Sequence, residues 1–438
     1  MMRAEFFVNN LGCKLNRVES DTLSAALLAA GGLAVARDEA DVVIVNTCAV
    51  TGEAETKTRK AIRQALAGPR KPWVIATGCA IALSPASYEA LGTRVLAKPE
   101  RPRAQAIALE LLGLSDSSGP NSSSGASGLS DSSDSSEPSA PSNSAPAHKT
   151  LAKDFHVRKG IKIQDGCDNS CSYCVVRLAR GASRSLPPDE IREQVRAAER
   201  TQTPEIILTG VDIGSYRNAS LGLCELLEQL LNMTKHPRIR LSSLEPQHAS
   251  DELLQLMATS RGRLCAHLHL PLQSGCDQTL AAMARLYDSS FYEERVTRAR
   301  ALMPQLALTT DLMVGFPGEN DEDFDESLRF CERMGFAKAH IFRYSKRPNT
   351  PAAARADQIA PPVRAERARI LRQCTERAQQ RDARSRVGTE EIVVVERPER
   401  GMSESYHRVA LPRDYETGEL IGVRFIGYRD NLLQVAAS

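Results

Sequence analysis

Between Ser115 and Ala147 the chain runs through Ser, Gly, Pro, Asn and Asp with almost nothing apolar, and no packed core can be threaded through such a stretch. Ordering it would cost conformational entropy that no buried surface offsets. It is expected to be a disordered linker, assigned to residues 115–153, that divides the chain into separately built units. A Gly/Ser-type coil of this length has a root-mean-square span of roughly 30 Å, at about 5–6 Å times the square root of its length. That tether is too loose to fix geometry across it. If the flanking units share a site, an interface must position it.

Residues 1–114 alternate apolar runs with helical patterns. The runs are Glu5–Asn9, Asp41–Asn46, Trp73–Thr77 and a weaker Arg94–Ala97, with Val18, Leu23, Leu27 and Leu28 approximating a helical stripe. Strands separated by helices predict an α/β unit with a parallel, doubly wound sheet. Residues 154–385 repeat the alternation, with six strands expected to begin near Lys159, Glu205, Arg238, Cys265, Leu306 and Lys338. Six such units predict an open, partial (β/α)6 barrel. A basic helix closes that unit. Residues 386–438 then carry three β-rich runs with Gly punctuation, which fits a small β-barrel of the kind appended to RNA-binding proteins.

The net charge of +2 selects no partner class, but its distribution is uneven. Arg364–Arg386 holds eight arginines against three acids, and Lys57–Lys71 has six basic residues and no acid. These stripes are either RNA-phosphate contacts or solvated helix faces. The segment 386–438 has seven basic and nine acidic residues, which argues against a purely electrostatic RNA contact there. No apolar run approaches the ~18 residues that span a bilayer. Met1–Leu11 carries one Arg and no sustained apolar core, so no signal peptide is expected and the cytoplasm is the default location.

Eleven cysteines in such a chain point to metal binding or catalysis, because disulfides are rare in a reducing cytosol. Cys167, Cys171 and Cys174 form a CxxxCxxC on the loop after the first barrel strand. Three thiolates at this spacing can ligate three irons of a cubane 4Fe-4S cluster and leave the fourth open, whereas a closed electron-transfer cluster uses four. Structural zinc would call for paired elements completing four ligands. Loops after barrel strands are also where barrel enzymes place chemistry. A second set, Cys13, Cys48 and Cys79, follows three apolar strands of the first unit, each just past the C-terminal end. Those ends share one edge of a parallel sheet, where such sheets bind ligands. Three thiolates there could hold a second cluster. Three inert core cysteines is the competing reading. His267 and His269 fall on one face of a strand and are expected to face the barrel lumen.

These residues lead to a resemblance. The CxxxCxxC loop resembles the signature of radical S-adenosylmethionine enzymes. Together with LGCKLNRVES (11–20), VNTCAVTGEAETKTR (45–59) and TGC (77–79), it is similar to the methylthiotransferases, along the whole chain except the Ser-rich segment. KIQDGCDNSCSYCVVRLARGASRS (162–185), ILTGVDIGSY (207–216), RLSSLEP (240–246), HLHLPLQSG (267–275), TTDLMVGFPGE (309–319) and FRYSKRPNTPAA (342–353) look like the branch acting on N6-threonylcarbamoyladenosine in tRNA. The isopentenyladenosine branch tends to show an LGQN-type motif where this chain has LTGVDIG. A third branch modifies an aspartate of a ribosomal protein.

The resemblance implies two 4Fe-4S clusters, one on Cys167, Cys171 and Cys174 and one on Cys13, Cys48 and Cys79, with S-adenosylmethionine as the second cofactor. It implies cofactor contacts at Gly210, Glu245, Gln273 and Gly315, and a TRAM-type C-terminal domain. It further implies a tRNA anticodon loop as substrate and a reducing donor such as flavodoxin or ferredoxin, with no membrane involved. No acid–base or nucleophilic catalytic residue is assigned. The modified base carries a carboxylate and a hydroxyl, and Arg177, Arg180 and Arg347 are the candidates to meet them, or else to meet RNA phosphates.

Overall fold

The computed structural model describes residues 4–49, 51–114, 157–412 and 415–436, so the linker expected over 115–153 lies outside the described residues. The first sheet is wholly parallel. Its spatial order is Leu33–Ala34, Glu5–Asn10, Val42–Thr47, Trp73–Gly78 and Val95–Ala97. The run VVIV is apolar at every position because both faces of the sheet are covered. Val42 and Ile44 pack with Leu23, Leu27 and Ala104, from the helices Lys14–Ala29 and Arg101–Leu111. Val43 and Val45 pack on the other face with Ala61, Ile62 and Ala65 of helix Gly52–Leu66. The doubly wound expectation holds, and the chain reverses its winding between Glu5–Asn10 and Val42–Thr47. That reversal is where open sheets of this kind bind ligands, at the carboxyl ends of the strands.

The middle unit is a partial barrel of six parallel strands in chain order: Arg158–Lys162, Glu205–Thr209, Arg238–Leu241, His267–His269, Ala307–Val314 and Lys338–Arg343. Two three-stranded sheets are joined by parallel bridges from Ile239 to Leu264 and from Ser243 to His269. Alternation sets the faces. Ile206, Leu208, Ile239, Leu268, Leu308 and Leu312 join the helix-covered outer core. Glu205, Arg238, Arg240, His269, Thr309 and Asp311, out of phase with them, face the lumen.

A partial barrel leaves a gap between its first and last strands, and the N-terminal unit fills it. Helix Lys14–Ala29 packs on strand Arg158–Lys162. On the far side, Arg347 pairs with Glu55 at 2.7 Å and the Gly52 amide donates to Ser345 Oγ at 3.1 Å.

The C-terminal strands Glu390–Arg397, Arg400–Ser403, Arg408–Ala410, Leu420–Arg429 and Leu432–Val435 close into a five-stranded barrel. It caps the N-terminal ends of the large barrel's strands. Glu205, with no solvent exposure, receives Arg238 Nε at 2.7 Å and Arg240 Nε at 2.8 Å. The same guanidiniums donate onward to main-chain carbonyls of the cap: Arg238 to Ile392 and Met402, Arg240 to Ser403 and Glu404, all at 2.7–3.0 Å. Part of the basic helix is likewise committed. In Pro361–Ser385, Arg367 pairs with Glu319 and Asp321, and just beyond it Arg386 pairs with Asp382 and Glu391.

Burial alone would raise the Glu205 carboxyl, but Arg240 and Arg238 outweigh it and hold it well below the usual carboxylate range. Its stabilising contribution is therefore present above the unfolded value of about 4.3 and is lost as pH falls through the folded one. Removing one partner of such a buried cluster costs about 3–5 kcal/mol. Glu205→Gln should lower stability by that amount at pH 7 in equilibrium denaturation, with a difference from wild type that shrinks in strong acid. An unchanged midpoint would show that the floor does not depend on this charge.

Candidate active site at the domain seam

Cys167 follows Gly166, whose φ of +72° turns the chain away from the strand pair Gln164–Asp165 and Arg184–Ser185. Gln164 holds this loop in place. Its Nε2 donates to the carbonyls of Asp165 and Gly166 and to Ser183 Oγ, while its Oε1 accepts from the amides of Val211 and Asp212 at 2.9 and 3.0 Å. The cysteine loop and the loop bearing Gly210 are thereby pinned to one side chain.

The three thiols of this loop are near enough to perturb one another. Burial first, then Asp212 and the Cys171 thiol, push Cys167 up to about 11, and burial with Cys171 and Cys167 pushes Cys174 up to about 12. Arg285 Nη1 donates to Cys171 Sγ at 3.1 Å, and the Val176 amide to Cys174 Sγ at 3.4 Å. Hydrogen bonds to sulfur are one of the levers by which proteins tune iron–sulfur clusters. Arg285 also pairs with Glu245 and donates to the Tyr287 hydroxyl at 3.1 Å.

Across the seam, Cys13, Cys48 and Cys79 lie just beyond the ends of three neighbouring strands. Adjacent strands stand about 4.8 Å apart, so the three loops open within about 10 Å of each other. Gly78 makes the approach to Cys79 possible. Its φ is +99°, and a Cβ there would sit 2.6 Å from both Asn46 Oδ1 and the Thr47 carbonyl. Asn16 and Asn46 clamp the ends: Asn16 Nδ2 donates to Asn46 Oδ1 (3.1 Å) and to the Thr47 carbonyl (2.8 Å), and Asn46 Nδ2 returns a bond to the Asn16 carbonyl. Cys13 is solvent-accessible yet walled in by protein, and that enclosure pushes its thiol up. None of the six cysteines is in a disulfide.

Arg180 joins the two triads. It ends the short helix Val176–Arg180 that follows Cys174, and its side chain is only 3% exposed. Nε donates to Cys79 Sγ at 3.1 Å, Nη1 to Glu19 and Asp165 at 2.9 and 2.8 Å, and Nη2 to Glu19 at 3.1 Å. Lys162 and Arg101 complete the network around Glu19. Burial would raise Asp165, but Arg180 and Lys162 hold it well below the carboxylate range. A cavity of about 760 Å³ opens on the outer side of this seam, lined by Glu19, Arg101, Lys162, Asp165 and Arg184 and by none of the cysteines.

The other expected contacts are distributed unevenly. Glu245 is close enough to Cys167 to raise its thiol. Gln273 has a φ of +69° and bonds through its backbone to Asp311 and Met313. Gly315 donates its amide to Glu319 Oε1 at 2.9 Å and packs against Arg364, so packing accounts for it. Two of the three arginines considered for the base are already used: Arg180 is buried in its network and Arg347 is paired with Glu55, both binding the N-terminal unit. Arg177 is exposed. Asn16, Asn46, Glu19 and Gln164 were not singled out from sequence. A polar residue ending a fully buried strand, as Asn46 does, was the available signal.

The donor set fits a three-cysteine cluster. Among the described residues, no group of three or more His, Cys, Asp or Glu side chains converges on a single metal ion. Thiolates that bind separate irons of one cubane need not converge in that way.

The Radical SAM superfamily matches residues 161–331, and the Uncharacterized protein family UPF0004 matches residues 5–95. A threonylcarbamoyladenosine tRNA methylthiotransferase of Thermotoga maritima is 32% identical over 397 residues, covering 89% of this chain and 86% of its own. Its namesake in Bacillus subtilis is 32% identical over 374 residues, covering 83% and 78%. A tRNA-2-methylthio-N6-dimethylallyladenosine synthase of Endomicrobium trichonymphae is 31% identical over 359 residues, covering 81% and 79%. Among solved structures, the radical S-adenosylmethionine methyltransferase TsrM of Kitasatospora setae aligns with a TM-score of 0.54 over 80% of this chain and 77% of its own; at 13% identity the likeness is one of fold. Fold and relatives together define a radical S-adenosylmethionine enzyme. The chain belongs to the methylthiotransferase family of that class.

No helix among the described residues is long and apolar enough to cross a membrane. The raised thiols give a pH dependence with a definite sign. Below their folded values Cys167 and Cys174 carry protons, which iron must displace, so metal affinity rises with pH. At limiting ferrous iron and sulfide, loading of the apo-protein should increase from pH 7 to 9, by up to about tenfold per unit for each thiol that deprotonates. Proton release should be measurable in weakly buffered solution. Loading without release would mean that these thiols are already ionised.

Proposed function

We propose that this chain adds a methylthio group to N6-threonylcarbamoyladenosine beside the anticodon of tRNA. Residues 1–114 would carry sulfur, 154–385 would hold S-adenosylmethionine, and 386–438 would serve as a TRAM-type domain, with 115–153 as tether. Cys167, Cys171 and Cys174 would hold one 4Fe-4S cluster, and Cys13, Cys48 and Cys79 a second. When bound, the first supplies the electron that cleaves S-adenosylmethionine reductively and the second supplies an iron that binds sulfur. The observation that carries the reading is Arg180, which bonds to Cys79 from the helix directly after Cys174 and so fixes both thiol sets to one seam. The choice of base is supported by the relatives named for it at 32% identity over most of the chain.

The chain's own residues then divide the work. Arg285 donates to Cys171 and holds Glu245, with Tyr287 fixed against the carbonyls of Pro271 and Leu272. Gln164 sets the distance between the cysteine loop and the Gly210 loop. Glu245, Gly210 and Gln273 would line the S-adenosylmethionine site, with Gly315 supporting it from behind. Docking of the N-terminal unit into the barrel gap sets Cys79 against the helix that directly follows Cys174. Bringing reacting atoms to about 3–3.5 Å requires a seam this rigid. We place the enzyme in the cytoplasm, reduced by a donor such as flavodoxin or ferredoxin. Relatives named for the dimethylallyl base support that base as the second reading.

Anaerobically reconstituted Cys13/Cys48/Cys79→Ala protein should contain half the wild-type iron and sulfide; full content would remove the second cluster. In cells lacking the gene, nucleoside mass spectrometry of tRNA should show loss of the methylthio-threonylcarbamoyl nucleoside while methylthio-isopentenyladenosine remains. The reverse pattern would assign the chain to the dimethylallyl base, and unaltered tRNA would direct attention to a ribosomal protein aspartate.

A further inference from the structure

We propose that the lumen of the six-stranded barrel contains a subsite for a carboxylate, formed by Lys14 of the N-terminal unit and Lys338 of the last barrel strand over Tyr406 of the C-terminal barrel. The inference rests on the reading of the substrate given above and names the group that would be recognised, the threonyl carboxylate of the modified base.

Strand register builds the wall. His269 pairs with Thr309, and Thr309 with Lys338, so these three share one layer of the lumen; Asp311 and His340 form the next. Thr309 Oγ1 lies 2.9 Å from His269 Nδ1 and 3.0 Å from His267 Nε2, and His269 Nε2 lies 3.5 Å from Asp311. From below, the turn between strands Arg400–Ser403 and Arg408–Ala410 carries Tyr406 into this space. Its φ is +66°, an unfavourable conformation for a bulky L-residue that persists only where the surroundings impose it. The ring lies 4.8 Å from the buried His267 ring, centroid to centroid. His267 Nδ1 is itself buried without a hydrogen-bond partner.

From the side, through the barrel gap, Lys14 brings its ammonium to 5.0 Å from the Tyr406 ring centroid, and Lys338 approaches the same ring at 5.7 Å. Arg240 is also within 5.2 Å, but its charge is met by Glu205. Neither lysine forms an ion pair among the described residues; the carboxylate near Lys14 is Asp311, whose charge is met first by His269 and then by His340 and Lys14. The lumen therefore holds an excess of positive charge. An isopentenyl group placed here would make no ion pair with the exposed Lys14 or the half-buried Lys338 and would take water away from their ammoniums, which is costly. A carboxylate neutralises the excess, and Asp311 remains to accept a hydrogen bond from an adjacent hydroxyl. Lys14 directly follows Cys13, so the anion would be held one side chain away from the thiols proposed to carry sulfur.

The test uses the full chain loaded with its clusters under anaerobic conditions. Binding is measured by fluorescence anisotropy with an anticodon stem-loop RNA bearing N6-threonylcarbamoyladenosine, and with the same RNA whose threonyl carboxylate is a methyl amide. Wild type should prefer the carboxylate by about tenfold or more, equivalent to about 1.4 kcal/mol. Lys14→Gln and Lys338→Gln should each remove most of that preference and leave amide binding within about twofold. Equal weakening of both RNAs would overturn the proposal in favour of phosphate contacts, as would a wild type indifferent to the carboxylate. Because Lys14 adjoins Cys13, iron is quantified in each variant, and Lys338→Gln decides if Lys14→Gln loads poorly. Wild-type turnover separates the two levels. Methylthiolation of isopentenyl RNA alone would overturn both the substrate reading and the subsite, whereas turnover of the threonylcarbamoyl RNA without a carboxylate preference would overturn the subsite only.

Discussion

A guanidinium buried between two domains must have its charge and its N–H groups met on the spot, and Arg180 meets this demand with partners from both sides. Glu19 comes from the first helix of the N-terminal unit, Asp165 from the strand before the cysteine loop, and Cys79 from the end of the fourth strand of the first sheet. Removing Glu19 or Asp165 would leave part of the buried Arg180 charge unmet. The docking of the N-terminal unit into the barrel gap, the closeness of the two thiol sets and the placing of Lys14 over Tyr406 all depend on that seam. The interface itself holds this geometry.

The same residues explain how far the sequence could be read. Strand positions, the parallel winding and the six-unit barrel were legible because both-face burial writes continuous apolar runs such as VVIV, and lumen-facing positions interrupt them with a period of two. The two groups of three cysteines stand out in the sequence by their placement, one spaced within a single loop and the other repeated just after three strands. The partners of Arg180 were not. Glu19, Asp165 and Cys79 lie far apart in the chain, and an arginine in LARG looks the same in sequence whether it salt-bridges a neighbouring domain or greets a substrate. Arg347 misled for the same reason. Local pattern reports burial and periodicity; it carries no record of which domain will dock.

Lys14 and Lys338 show the converse. Their sequence contexts are ordinary, one opening a helix and the other a strand, yet tertiary closure brings them from two units over the ring of a tyrosine from the third. A lumen built in this way is complete only when all three parts are assembled, which ties the shape of the pocket to the state of the whole molecule.

The floor of the barrel has a consequence for how this protein can change over generations. Arg238 and Arg240 grip the C-terminal cap by its main-chain carbonyls, at Ile392, Met402, Ser403 and Glu404, and ask little of the side chains there. A joint made to the peptide backbone tolerates substitution on the gripped surface so long as the strands keep their path. The outer surface of the cap is thus free to change without the cap coming loose from the large barrel.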